Sequence, residues 1–148
     1  MKHLPVLSLA VMVIASVGRA AAADENQLTI VVANGPFAGT YKAPSSQLIC
    51  MRAKAQNVFS IGWKDFEATG RNIAEGGMQV DAPDGAGAKF GHVEVGFGSD
   101  DKKTVYKILH KPIVLKLTGK GGTITFDGKT DQGIHLHMEA VCNNVTRL

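Results

Sequence analysis

The 148-residue chain is poor in cysteine, in aromatics and in charge imbalance: two cysteines, six phenylalanines, two tyrosines and one tryptophan, with 16 Lys and Arg against 13 Asp and Glu. Each scarcity excludes something. No Cys-x-x-Cys occurs, so the cysteines do not read as a functional redox pair. One apolar run, Leu4 to Val17, is too short to span a bilayer, and no second long run follows it, so no membrane span is expected. Gly96-Phe97-Gly98-Ser99-Asp100 lacks the spacing of a G-x-S-x-G nucleophile elbow, and the glycines around Gly85 and Gly87 do not make a G-x-G-x-x-G opening a helix. The chain is therefore expected not to be an enzyme, and no cofactor is expected from these motifs.

What is present begins with a leader. Met1-Lys2-His3 is a short positive head, Leu4 to Val17 an apolar middle, and Ala20 to Ala23 a small-residue cleavage zone, the pattern of a secretory signal peptide over residues 1–23. No cysteine follows at which a lipid would be attached, so a released periplasmic or secreted protein is expected, without a lipid anchor. Of the 148 residues, 125 remain after the first 23, read as a single β-rich domain with one core over 24–148. Without Lys2 and Arg19 the basic count falls from 16 to 14 against 13 acidic residues, and net charge from +3 to +1. That balance argues against nucleic acid or an anionic membrane as partner.

The remainder is written in period two. Thr123 to Asp127 and Ile134 to Cys142 alternate polar and apolar around a Gly/Asp/Lys/Thr-rich connector, Gly128 to Gly133, which predicts a hairpin. Its inward face would carry Ile124, Phe126, Ile134, Leu136, Met138, Ala140 and Cys142. Gln27–Ala33, Phe37–Lys42, Gln47–Arg52, Met78–Asp81, Phe90–Phe97, Thr104–Leu109 and Ile113–Thr118 read as further strands, the last with Ile113, Leu115 and Leu117 inward. Val58–Ile61 suits a strand, whereas Trp63 to Glu75, interrupted by Gly70, suits a short helix or a loop equally well. Short strands, glycine-rich turns and no alternating helices predict an all-β protein, an antiparallel β-sandwich of about eight strands, with a small β-barrel as alternative. Leu48 and Cys50 share a face, as do Met138 and Cys142. Both sulfurs thus point to one core, and one disulfide, Cys50–Cys142, is expected across 92 positions.

Two side-chain groups stand out. His135 and His137 share a strand face with Glu139, and His92 and Glu94 share a face of another strand. Were the strands adjacent, these five would form a zinc or copper site, the runner-up function; the bland reading is that they simply occupy a solvated sheet face. Lys102, Lys103, Lys107 and Lys111, with Tyr106 among them, read as a charged edge strand or as a patch for an acidic glycan or a partner protein. Paired carboxylates such as Asp127 with Asp131 read as turn chemistry in the hairpin loop.

The stretches Thr29-Ile30-Val31-Val32 through Gly39-Thr40-Tyr41 to Leu48-Ile49-Cys50, and Gly122 to Gly128 running on to Ile134 through Cys142, resemble the opening and closing segments of the mycobacterial surface lipoprotein antigen family. Cys50 and Cys142 are the matched positions. The resemblance implies a compact, mostly β, disulfide-closed extracytoplasmic module without catalysis, acting as a surface antigen or adhesin. Members of that family carry a lipidated cysteine at the mature N terminus, which this sequence lacks, so the anchoring is not implied. The expected function is an exported, non-enzymatic binding or surface-antigen-type module with an unknown cell-envelope or extracellular ligand.

Overall fold

The computed structural model describes residues 25–85 and 87–148. The leader expected over 1–23 lies outside the described residues. Eleven strands form: β1 Gln27–Val32, β2 Gly39–Ala43, β3 Leu48–Ala53, β4 Val58–Trp63, β5 Phe66–Ala68, β6 Arg71–Asp81, β7 Lys89–Phe97, β8 Thr104–Thr118, β9 Gly121–Lys129, β10 His135–Cys142 and β11 Val145–Arg147. They make one continuous hydrogen-bonded sheet in the order β11-β3-β4-β6-β7-β8-β9-β10-β1-β2, with β5 added beside β6. The all-β class and the single disulfide are as expected. The strand count exceeds the expected eight, and the sheet is one curled surface rather than two separate stacks.

The curl follows from one distance. Cys50 on β3 and Cys142 on β10 lie six strand steps apart along the sheet, yet their Cα atoms are 5.9 Å apart and their sulfurs are bonded. A flat sheet at ~4.8 Å per step would separate them by about 29 Å. The corner is in β8, whose first half pairs with β7 and whose second half, from Val114, pairs with β9. Sequence reading divides this strand in two at Pro112; the chain instead runs through, with a register shift between Gly91 and Val93 on β7 and a left-handed His110 (φ 50°) at the bend. A bulge bends the strand that carries it, and proline is accepted where the ladder is already interrupted.

Alternation places the core. Leu28, Ile30 and Val32 on β1, Phe59 and Ile61 on β4, Val93, Val95 and Phe97 on β7, and the seven expected inward residues of the closing hairpin are all buried. Leu117 departs from expectation, at 38% exposed, and Leu115 is only partly buried, near the end of β8.

The segment left between helix and loop is a strand hairpin. Thr69 (φ 51°) and Gly70 (φ 70°) form a two-residue left-handed turn joining β5 to β6, with Ala68 opposite Arg71. Gly70 is thus the turn, not a helix interruption. β6 then runs eleven residues, with its register broken between Ala74 and Gly77. Before the break Ile73 points inward; after it, Met78 and Val80 do. The extra residue inverts the parity, so no window across it shows a clean period of two. β11 was not foreseen and pairs parallel to β3, with Val145 opposite Cys50.

Candidate functional site

A recess of about 440 Å³ lies on the outer face of the sheet, across β4, β6 and β7. Its floor is backbone. Gly62 on β4 is opposite Gly77 on β6, Trp63 is opposite Gly76, and Gly77 is in turn opposite Glu94 on β7. Glycine inside a strand marks a place where something approaches the backbone closely or where a bulge sits, and here both occur. The walls are side chains of Ser60, Glu75, Gln79, His92, Glu94, Lys103 and Leu109. Beneath Gly76 lies the indole of Trp63, buried, its Nε1 donating to the Ala74 carbonyl at 3.0 Å.

Residues that the sequence separated into two groups meet at this recess. His92 and Glu94 face outward on β7, and Lys107 on the neighbouring β8 reaches Glu94, Nζ to Oε2 3.1 Å. Both partners are about half exposed, so the pair orients more than it stabilises. Lys103 lines the recess with its stem over Gly96, while Lys102 and Lys111 are exposed beyond it. Tyr106 does not belong to the patch. It is 2% exposed, packed against Phe97 (ring centroids 5.7 Å) and Phe37 (6.3 Å), and burial, with Tyr41 nearby, pushes its phenol above the ordinary value. On β8 Lys107 has the outward parity and Tyr106 the opposite one; Lys103 lies just before the strand and Lys111 beyond its register shift.

His92 and Glu94 are not brought to His135 and His137, because β8 and β9 lie between β7 and β10. The histidines have another partner. Asp127 on β9 is directly opposite His137 on β10, and its carboxylate lies between the two rings: Oδ1 to His135 Nε2 2.8 Å, Oδ2 to His137 Nδ1 2.9 Å. An ionised carboxylate only accepts, so both facing ring nitrogens carry hydrogen. The bond from His135, then that from His137, holds the Asp127 carboxyl below the usual aspartate range. Glu139 is further along β10, opposite Thr125. Sequence reading ends the alternating strand at Asp127 but explains its carboxylate as loop chemistry with Asp131; the period-two run Thr123, Thr125, Asp127 was the signal that places it on the histidine face. Among the described residues, no group of three or more His, Cys, Asp or Glu side chains is placed, as it stands, to hold a metal ion, and no helix is long and apolar enough to cross a membrane.

Compared with known proteins, the chain matches no family, no curated protein and no solved structure.

Proposed function

We propose that the protein is an exported, non-enzymatic binding module of surface-antigen type that recognises a cell-envelope or extracellular ligand in the glycine-floored recess over β4, β6 and β7. The observation that carries this reading is the floor itself. Gly62 is not demanded by packing: a methyl there would find only the Gly76 carbonyl oxygen, at 3.8 Å, an ordinary contact. A bare backbone at that position supplies room rather than fit. At about 440 Å³ the recess falls in the range of small-ligand sites, and its rim offers fixed donors and acceptors beside one apolar side chain, Leu109. Gln79 is held by Asp81, Nε2 to Oδ1 2.9 Å, and Glu94 by Lys107, so part of the rim is oriented before anything binds. Export accords with the leader pattern and with a disulfide bond, which persists in oxidising compartments.

The test is an amide-resolved NMR titration of the disulfide-bonded protein with neutral disaccharides and tripeptides as probes, beside Gly62→Val. Saturable shifts confined to residues of β4, β6 and β7, abolished by Gly62→Val, are the expected result. Shifts located elsewhere, or a titration that Gly62→Val leaves unchanged, would remove the recess as the binding site.

A further inference from the structure

We propose that Asp127, His135 and His137 form a site for a divalent first-row transition metal, zinc above all, on the outer face of the β9–β10 hairpin. This is independent of the recess over β4, β6 and β7, which lies on the other half of the curled sheet. It also replaces the ligand set suggested by sequence: Asp127 takes the place of Glu139, His92 and Glu94.

Two imidazoles and one carboxylate are a donor set that zinc accepts with a position left for water. The backbone brings them together without distortion. His135 and His137 are at i and i+2 of one strand and share its face, and Asp127 is the direct cross-strand partner of His137. The donor atoms are neighbours but do not yet converge on one point, and a small rotation separates their spacing from that of a coordination shell. Two metal bonds of about 2.0–2.1 Å subtend an edge of about 2.9 Å at a right angle and about 3.4 Å at the tetrahedral angle, and each ring nitrogen lies 2.8 or 2.9 Å from a carboxylate oxygen. In the metal-free arrangement the rings hold opposite oxygens of the carboxylate, which keeps them apart. Loading the site shifts each ring's hydrogen from the facing nitrogen to its other nitrogen, which frees the facing lone pairs for the metal, and turns the rings towards a common point. That motion takes place at the surface, where the side chains are 41%, 44% and 59% exposed for His135, His137 and Asp127. The hydrogen bonds given up are exchanged with water at little net cost. Lys129 opposite His135 and Glu139 on the same face bring one charge of each sign, so the surroundings do not oppose a cation.

Isothermal titration of the tag-free, disulfide-bonded protein with zinc chloride tests the assignment, beside Asp127→Asn, His135→Ala, His137→Ala, Glu139→Gln and His92→Ala. One zinc per chain is expected, with affinity reduced at least about tenfold in each of the first three variants and unchanged in the last two. Thermal unfolding of all variants in EDTA, expected near wild type because the positions are exposed, separates loss of ligands from loss of fold. Absence of saturable one-to-one binding by the wild type, wild-type affinity in Asp127→Asn, or loss of binding in His92→Ala would each overturn the assignment.

Discussion

Gly62 on β4 stands opposite Gly77 on β6, and one step along the same ladder Trp63 stands opposite Gly76. Neighbouring glycines of one floor therefore serve different ends. A methyl on Gly62 would meet its nearest heavy atom at 3.8 Å, whereas one on Gly76 would run into the Glu94 carbonyl oxygen and come within 2.7 Å of Trp63 Cζ2. Gly62→Ala is predicted to raise stability by about 0.4–1 kcal/mol, by narrowing the unfolded ensemble. Gly76→Ala is predicted to lower it by about 1–3 kcal/mol, the usual cost of overpacking. Urea unfolding of the two variants checks this, and shifts of the same sign would show that both glycines answer to packing.

Trp63 supports the floor from below through its bond to the Ala74 carbonyl at 3.0 Å, in the stretch where the β6 register breaks. Trp63→Phe keeps an aromatic ring but leaves that buried acceptor without its donor. A loss of about 1–3 kcal/mol is expected, from desolvation of the orphaned carbonyl plus a small void. Denaturant unfolding measures it; a change under about 0.5 kcal/mol, the range of ordinary surface substitutions, would mean that water replaces the indole.

The legible parts of this fold are those where one strand keeps one parity. From Ile134 to Cys142 every inward residue is deducible from alternation, and both cysteines follow from it. The stretch from Trp63 to Gly77 was not legible because the break at Ala74/Gly77 inverts parity in mid-strand, and because a turn glycine at Gly70 looks the same in sequence as a helix defect. The corner at Pro112 looked like a strand start for a similar reason: proline ends most ladders, and only the partner strand shows that this one continues on its other side. Tyr106 and Asp127 were misplaced for a different reason. Both were grouped by nearness in sequence with lysines and with a loop carboxylate, although their own parity assigns Tyr106 inward and Asp127 to the histidine face. The recess needed the third dimension, because Gly62 and Gly77 become neighbours only through the β4–β6 pairing.

The disulfide closes the curl. Cys50 and Cys142 are each 1% exposed and span 92 positions, joining strands on opposite halves of the sheet. In the chain-entropy account a crosslink of that length contributes about 4–5 kcal/mol by restricting the unfolded chain. A Cys50→Ala/Cys142→Ala protein is therefore predicted to lose about 2–5 kcal/mol. β11 should loosen with it, because Val145 pairs with Cys50 three residues past Cys142. Equilibrium unfolding gives the first quantity and amide exchange at 145–147 the second. Unaltered protection of those amides would show that β11 is held by its own ladder alone.

Asp127 ties acid stability to the histidine face. Its carboxyl is held below the ordinary range by the bonds from His135 and His137, so the folded state favours the ionised form more than the unfolded state does. For a depressed carboxyl the added stability is fully present above the unfolded value, about 3.9, and is lost as pH falls through the lower folded one. The carboxylate is exposed, so the effect is small in size but definite in direction. The stability difference between wild type and Asp127→Asn, followed in EDTA by urea unfolding from about pH 7 down to about pH 2, is expected to shrink only in the acid limb below about pH 4. A difference that stays constant through that limb, or grows as pH falls, would show that the two rings do not hold the carboxylate in solution.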